Sequence, residues 1–224
     1  MNAKLLSLSL AFGAIAAASA PAAAQTIEGN VALTSNYVFR GISQTDDGPA
    51  ISGGFDLSTE SGIYVGVWGS SVDFSDDTTM ELDLYAGYGW EAAGFGFDAG
   101  VIYYAYPDSP ADQNFVEVYG GVSHPIGPFS WDANLAYSPD FYGGIGSAWY
   151  GSTGLAIDVV EGITADVRAG MSEFDDAGSV DYEDYQIGVS GTVFETIGWD
   201  LRYFKASDGG DDGFFVTFSQ SFGG

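Results

Sequence analysis

The chain has 224 residues, with 31 acidic side chains against 5 basic ones and a formal net charge of −26. Such an acidic excess excludes nucleic acid as a partner, because phosphate binding needs a basic surface, and makes cations the natural counterpart. There is no cysteine, so disulfides and thiolate metal sites are excluded. The 33 glycines and 16% aromatics are unusual for a soluble enzyme.

Lys4, the apolar run Leu5 to Ala18 and the small residues Ala22-Ala23-Ala24 predict a secretory signal peptide over 1–24. The mature chain then begins at Gln25, after Sec-type export, and no Cys follows to mark a lipoprotein. No later segment offers ~18 consecutive apolar residues. A mature chain that spans a membrane must therefore do so as a closed barrel.

From Ile27 the dominant pattern is a period of two, which sends alternate side chains to opposite faces of a strand. The first strand is predicted over 27–39, followed by a polar loop from Arg40 to Pro49. Ile51, Gly53, Phe55 and Leu57 mark the second, closed by the turn Thr59 to Gly62. The third, about 63–74, is ambiguous in phase, and an acidic loop from Ser75 to Thr79 follows. The fourth carries Met80 to Trp90, then a turn at Glu91 to Gly94. The fifth carries Phe95 to Tyr103, then a loop from Tyr106 to Asn114. The sixth spans Phe115 to Val122, and a turn over His124 to Pro128 leads into the seventh, Phe129 to Ser138. A Gly-rich loop, Pro139 to Gly146, precedes the eighth strand, about 147–157, where adjacent Trp149 and Tyr150 again blur the phase. A turn at Asp158 to Gly162 precedes the ninth, Ile163 to Met171, and an acidic loop follows it. The tenth (Asp184 to Val193), eleventh (Trp199 to Tyr203) and twelfth (Phe214 to Phe222) complete the set, with another acidic loop from Ser207 to Asp212.

Twelve strands, short connections alternating with longer ones, and no helix pattern after the signal predict an all-β, 12-stranded antiparallel transmembrane barrel over 25–224. A secreted β-sandwich also alternates. Its core would not tolerate unpaired Asp83, Asp98, Asp132, Asp166 and Asp200 on the inward face. Trp90, Phe95, Phe129, Trp131, Trp199 and Phe222 fall on the outward face near the short turns, as an interfacial aromatic girdle does. The closing alternation Phe214, Val216, Phe218, Phe222 resembles the C-terminal sorting signal read by the barrel-assembly machinery, except that Gly223-Gly224 follow the usual terminal Phe.

Thr34-Ser35-Asn36-Tyr37-Val38-Phe39-Arg40-Gly41-Ile42-Ser43-Gln44-Thr45 resembles a known family. So do Pro49 to Phe55, Gly66-Val67-Trp68-Gly69-Ser70 and Glu81 to Tyr88. The family is the TorF family of porins of Gram-negative bacteria, and the likeness covers essentially the whole mature chain. It implies an outer-membrane barrel with a porin's role and supplies no substrate.

The predicted lumen carries Asp56, Glu81, Asp83, Asp98, Glu117, Asp132, Asp166, Asp184 and Asp200, opposed by Arg168 and Arg202. Rings of carboxylates select cations. The expected function is thus passive diffusion of small cationic or neutral polar solutes. The alternative is a closed structural or surface-interaction barrel, since inward Tyr64, Trp68, Tyr85, Phe115 and Tyr119 narrow any passage. The pairs Asp46-Asp47, Asp76-Asp77, Asp175-Asp176 and Asp211-Asp212 all fall on one rim. They read either as solvated loops or as a vestibule that gathers cations, with weak Ca²⁺ or Mg²⁺ binding bridging lipopolysaccharide. None has EF-hand spacing, and no cofactor is expected. His124, the only histidine, sits in a predicted turn with no placed serine and carboxylate, so no catalytic residue is expected. Expected partners are outer-membrane lipid, lipopolysaccharide and small polar solutes, and the oligomeric state stays open.

Overall fold

The period-two pattern builds one sheet that closes on itself. The computed structural model describes residues 25–208 and 210–224, so the predicted signal peptide lies outside it. Twelve strands form the wall: β1 (Thr26–Thr34), β4 (Ala50–Ser58), β5 (Ile63–Ser71), β6 (Met80–Ala92), β7 (Phe95–Ala105), β8 (Phe115–Ile126), β9 (Phe129–Ser138), β10 (Ala148–Val160), β11 (Ile163–Phe174), β12 (Tyr182–Val193), β13 (Ile197–Ala206) and β14 (Asp212–Gly223). Each pairs antiparallel with its sequence neighbours, and β1 closes the barrel by pairing with β14 on one side and β4 on the other. Closure leaves no open sheet edge. Two further strands, β2 (Val38–Phe39) and β3 (Ile42–Ser43), pair only with each other. Among the described residues, no helix is long and apolar enough to cross a membrane.

The tight turns between consecutive wall strands lie at one end of the barrel, with both described termini. The longer loops lie at the other. Strands continue further into the turns than the sequence suggests. Glu91 belongs to β6, His124 to β8 and Asp158 to β10, because the connections are as short as Ala93-Gly94, where both residues adopt positive φ. That geometry matches the twist of the flanking strands. His124 therefore lies in a strand and not in a turn. Its ring stacks on Phe95 with centroids 4.1 Å apart, and its Nδ1 meets the Gly94 carbonyl at 2.9 Å.

The outer surface is apolar around the whole wall. Leu33, Ile51, Leu84, Leu135, Ile187 and Leu201 are all exposed on it. A belt this large has the form of the lipid-facing band of a transmembrane barrel. At the turn end Trp90 stacks between Tyr88 and Phe97, Trp131 donates its indole N–H to Thr153, and Phe222 meets Phe55 edge-on. Phe129 is exposed there, and Trp199 lies against Gly191. Phe194, at a turn tip, is 87% exposed and extends the same girdle. A second aromatic group sits on the outside near the loops, where Tyr137 packs on Trp149 and Tyr203 on Phe214.

The ambiguous phases resolve cleanly. On β5, Tyr64 and Trp68 turn inward while Ile63 and Val65 face out, and the strand stops at Ser71, short of the expected 74. On β10, Tyr150 is buried inside and Trp149 exposed outside. The first strand also ends early, at Thr34, not 39.

Candidate functional site: a lumen crossed by a hairpin

The inner wall is built from side chains that lie flat and reach sideways over glycines. On one side, Arg168 of β11 crosses β10 at Gly154 to grip Asp132 of β9, with an N–O distance of 2.9 Å. Arg202 of β13 crosses β12 at Gly188 to meet Asp166 of β11 at 2.6 and 3.0 Å, and also holds Asp200 on its own strand at 2.9 Å. Acids and guanidinia thus alternate along β9 to β13. A Cβ on Gly188 would sit 2.7 Å from the Arg202 guanidinium carbon, so this crossing requires glycine.

The opposite wall uses tyrosine instead. Tyr85 crosses β5 at Gly66 to donate to Asp56, and Tyr64 crosses β6 at Gly87 to donate to Asp98 at 2.9 Å. Tyr119 crosses β7 at Gly100, and its hydroxyl meets that of Tyr64 at 2.6 Å. The Gly66→Val variant is expected to lose roughly 1–3 kcal/mol, the usual cost of overpacking. Its Cβ would stand where the Tyr85 ring lies. Denaturant unfolding in detergent would measure this, and an unchanged midpoint would contradict the crossing.

Toward the loop end the lumen fills. The segment predicted as a polar loop, Arg40 to Pro49, starts inside the barrel within the β2–β3 hairpin. It enters beside β5 and β6. There Tyr37 packs edge-on against Trp68, and its hydroxyl donates to Glu81 at 2.7 Å. Tyr106 donates to the other oxygen of Glu81 at 2.8 Å. The tip turns on Arg40 and Gly41, both at positive φ (49° and 78°), as a type I′ hairpin requires. Gly41 lies against Asp184 and Ala206 on β12 and β13, where a Cβ would come within 2.7 Å of the Asp184 Cβ.

Arg40 is therefore a third guanidinium inside the barrel, which the sequence reading missed. It makes a two-pronged pair with Glu117 of β8, at 2.9 and 2.7 Å. Its guanidinium also stands 4.2 Å from the centroid of the Tyr150 ring and 4.6 Å from that of Phe39. Tyr104 adds a hydrogen bond to Glu117 at 3.2 Å. Arg40 is 8% exposed and Glu117 1%. The missed signal was the dipeptide Arg40-Gly41 between the apolar pair Val38-Phe39 and Ile42, a two-residue hairpin turn.

The predicted inner residues divide by depth. Glu81, Asp83, Glu117 and Asp184 lie in the filled loop-end half and are buried. Asp56, Asp98, Asp132, Asp166 and Arg168 lie in the turn-end half, where the inner wall is half-exposed. Asp200 and Arg202 stand between and are buried by one another and their neighbours. Above the hairpin, Phe74, Tyr106, Phe141 and Tyr142 form an aromatic layer. Tyr142 meets Phe74 and Tyr106 edge-on at 5.5 and 5.3 Å, and Phe141 packs on Phe115 at 4.7 Å.

The acidic pairs all fall at the loop end, with Asp212 opening β14. Several fasten loops: Asp47 accepts from Asn36 at 2.8 Å, Asp211 from the Ser43 amide at 3.1 Å, and Asp175 from Ser147. Asp76 accepts from Thr78 and Gln113, and Asp108 from Thr79. These bonds favour the ionised forms and hold both carboxyls below their ordinary range. Such ties are present at neutral pH and are lost only on acidification through those lowered values. Asp46 and Asp77 sit at positive φ in the loop bends, as Asp176 caps its own turn through Gly178 and Ser179. Among the described residues, no group of acids and histidine is arranged to hold a metal ion.

A closed twelve-stranded barrel, apolar outside and polar within, has the architecture of the outer-membrane porins. The chain belongs to the bacterial family described as "Bacterial protein of unknown function (Gcw_chp)", whose model matches residues 18–215. Among solved structures it is similar to the KdgM porin, with a TM-score of 0.62, 8% identity, and coverage of 88% of this chain and 99% of that one. KdgM in complex with disordered oligogalacturonate aligns with a TM-score of 0.58 at 7% identity, covering 88% and 96%. The COG4313 outer membrane channel from Pseudomonas putida F1 aligns with a TM-score of 0.57 at 9% identity, covering 94% and 100%. At such identities the likeness is one of fold. No curated protein matches the chain in sequence.

Proposed function

We propose that the protein is an outer-membrane channel of the porin type that passes small cationic and neutral polar solutes by diffusion. The observation that carries this reading is the charge balance of the interior: nine carboxylates, Asp56, Glu81, Asp83, Asp98, Glu117, Asp132, Asp166, Asp184 and Asp200, share it with the three guanidinia of Arg40, Arg168 and Arg202, which pair with only four of them. A passage with that surplus favours cations. The fold shared with the KdgM and COG4313 barrels supports a channel, and the resemblance to the TorF family points the same way. In this reading the leader 1–24 directs Sec export, the β14 strand engages the barrel-assembly machinery, and the acidic loops hold divalent cations weakly beside lipopolysaccharide.

Planar-bilayer recording under a salt gradient tests the preference, and a reversal potential near the anion equilibrium would refute it. Asp56→Asn with Asp98→Asn is expected to weaken the preference while keeping the tyrosine hydrogen bonds. Taking ~9 Å from wall to axis in water, each charge contributes about 0.5 kcal/mol, a factor of about two in selectivity.

A second reading, a closed structural or surface-interaction barrel, draws on the seated hairpin and the aromatic layer above it. Lasting absence of current from well-folded protein, with and without the hairpin, would favour it.

A further inference from the structure

The guanidinium of Arg40 is treated by the wall as a guest. Glu117 offers both carboxylate oxygens in a fork, the geometry that recognises a planar guanidinium. Tyr104 steadies that carboxylate, and the face of Tyr150 covers the cation. All three residues belong to the barrel wall, on β8, β7 and β10, whereas Arg40 arrives on a hairpin that is not paired to the wall. Two more carboxylates stand beside the cradle. Asp83 is the cross-strand partner of Tyr104, and its Oδ1 is buried without a hydrogen-bond partner. Asp184 converges with the Tyr150 hydroxyl over Gly170. The wall at the cradle thus presents three carboxylates, Glu117, Asp83 and Asp184, of which the hairpin's single guanidinium pairs with one. An unpaired buried acid is costly, so a site of this kind has room for cationic charge.

We propose that the cradle of Glu117, Tyr104 and Tyr150 is a binding site for small solutes bearing a guanidinium or primary ammonium group, and that Arg40 occupies it in the closed barrel as a tethered substitute. The proposal rests on reading the barrel as a cation-preferring channel and names the class of solute that this preference serves. Arg40 competes as an intramolecular ligand, whose effective concentration is on the order of millimolar for a short tether. A solute therefore enters only when it is abundant or when the hairpin withdraws. Guanidinium compounds should bind better than simple ammonium ions, because only they match both oxygens of the fork.

The test uses the Arg40→Ala barrel, with Arg40→Gln as the milder variant if the first does not fold, and methylguanidinium at low millimolar concentration as the probe. Thermal unfolding in detergent reads binding, and planar-bilayer current reads blockade. Methylguanidinium should raise the unfolding midpoint of R40A by roughly 2–4 °C, as a ligand of the native state alone does. It should also reduce the R40A current, and should do neither to wild type at the same concentration. The effect should vanish in R40A/E117Q and with potassium at equal ionic strength. An equal shift in R40A/E117Q, or no shift in either Arg40 variant, overturns the site. If R40A is stabilised but no variant conducts, the channel reading falls and the site stands. If R40A conducts yet is neither stabilised nor blocked, the site falls and the channel reading stands.

Discussion

Gly41→Val should raise the ion conductance of the reconstituted barrel by one to three orders of magnitude while leaving the twelve-stranded wall intact. Two costs fall on the seated hairpin together. Position 41 has a φ of 78°, which a β-branched side chain adopts only with strain. A Cβ there would also stand 2.7 Å from the Asp184 Cβ and 3.2 Å from the Ala206 Cβ. Left-handed backbone and overpacking together cost about 2–5 kcal/mol, and each ~1.4 kcal/mol is tenfold in the ratio of seated to released hairpin. The hairpin contributes no hydrogen bond to the barrel ladder, since β2 and β3 pair only with each other. The heat-induced shift in gel mobility that reports the closed barrel should accordingly persist in the variant. Unchanged current beside an intact barrel would mean that the hairpin does not set the passage, and that the aromatic layer of Phe74, Tyr106, Phe141 and Tyr142 does.

Arg202→Ala is expected to be the most destabilising single substitution on the inner wall, by about 3–5 kcal/mol. Arg202 is 8% exposed and holds two carboxylates at once, Asp166 and Asp200. Its removal takes from both acids the cation they share at the Gly188 crossing, and the penalty is that of buried charge losing its counterion. The triple variant R202A/D166N/D200N should therefore recover most of the loss, although it deletes more hydrogen-bonding groups. Urea unfolding in detergent, analysed as a cycle, separates the two contributions. A loss below about 1 kcal/mol for R202A would show that water screens the ladder as it screens a surface pair. Arg168 is more exposed and has one carboxylate partner, so its alanine variant should lose less.

The contrast between Arg40 and Arg202 shows what could be read from residues alone. Arg202 lies between Leu201 and Tyr203, and the period of two sends those neighbours outward and the arginine in. The same rule orients Asp83, Asp132, Asp166 and Arg168. It does not orient Trp68, where an aromatic face opposes an aliphatic one, or Tyr150, where aromatics occupy both faces, and only pairing with β6 and with β9 and β11 decides those. Arg40 belongs to no wall strand. Its position follows from where the hairpin comes to rest, against side chains distant by tens of residues in sequence.

The strand period, the even strand number, the acidic interior and the greasy exterior were thus determined by the sequence itself, because each is a local pattern repeated along the chain. Which aspartate meets which arginine, and whether the middle of the barrel is open or crossed, were decided only on closure of the sheet. Closure brings β8, β10 and β12 around one hairpin tip, and a buried charge settles wherever that enclosure supplies its partner.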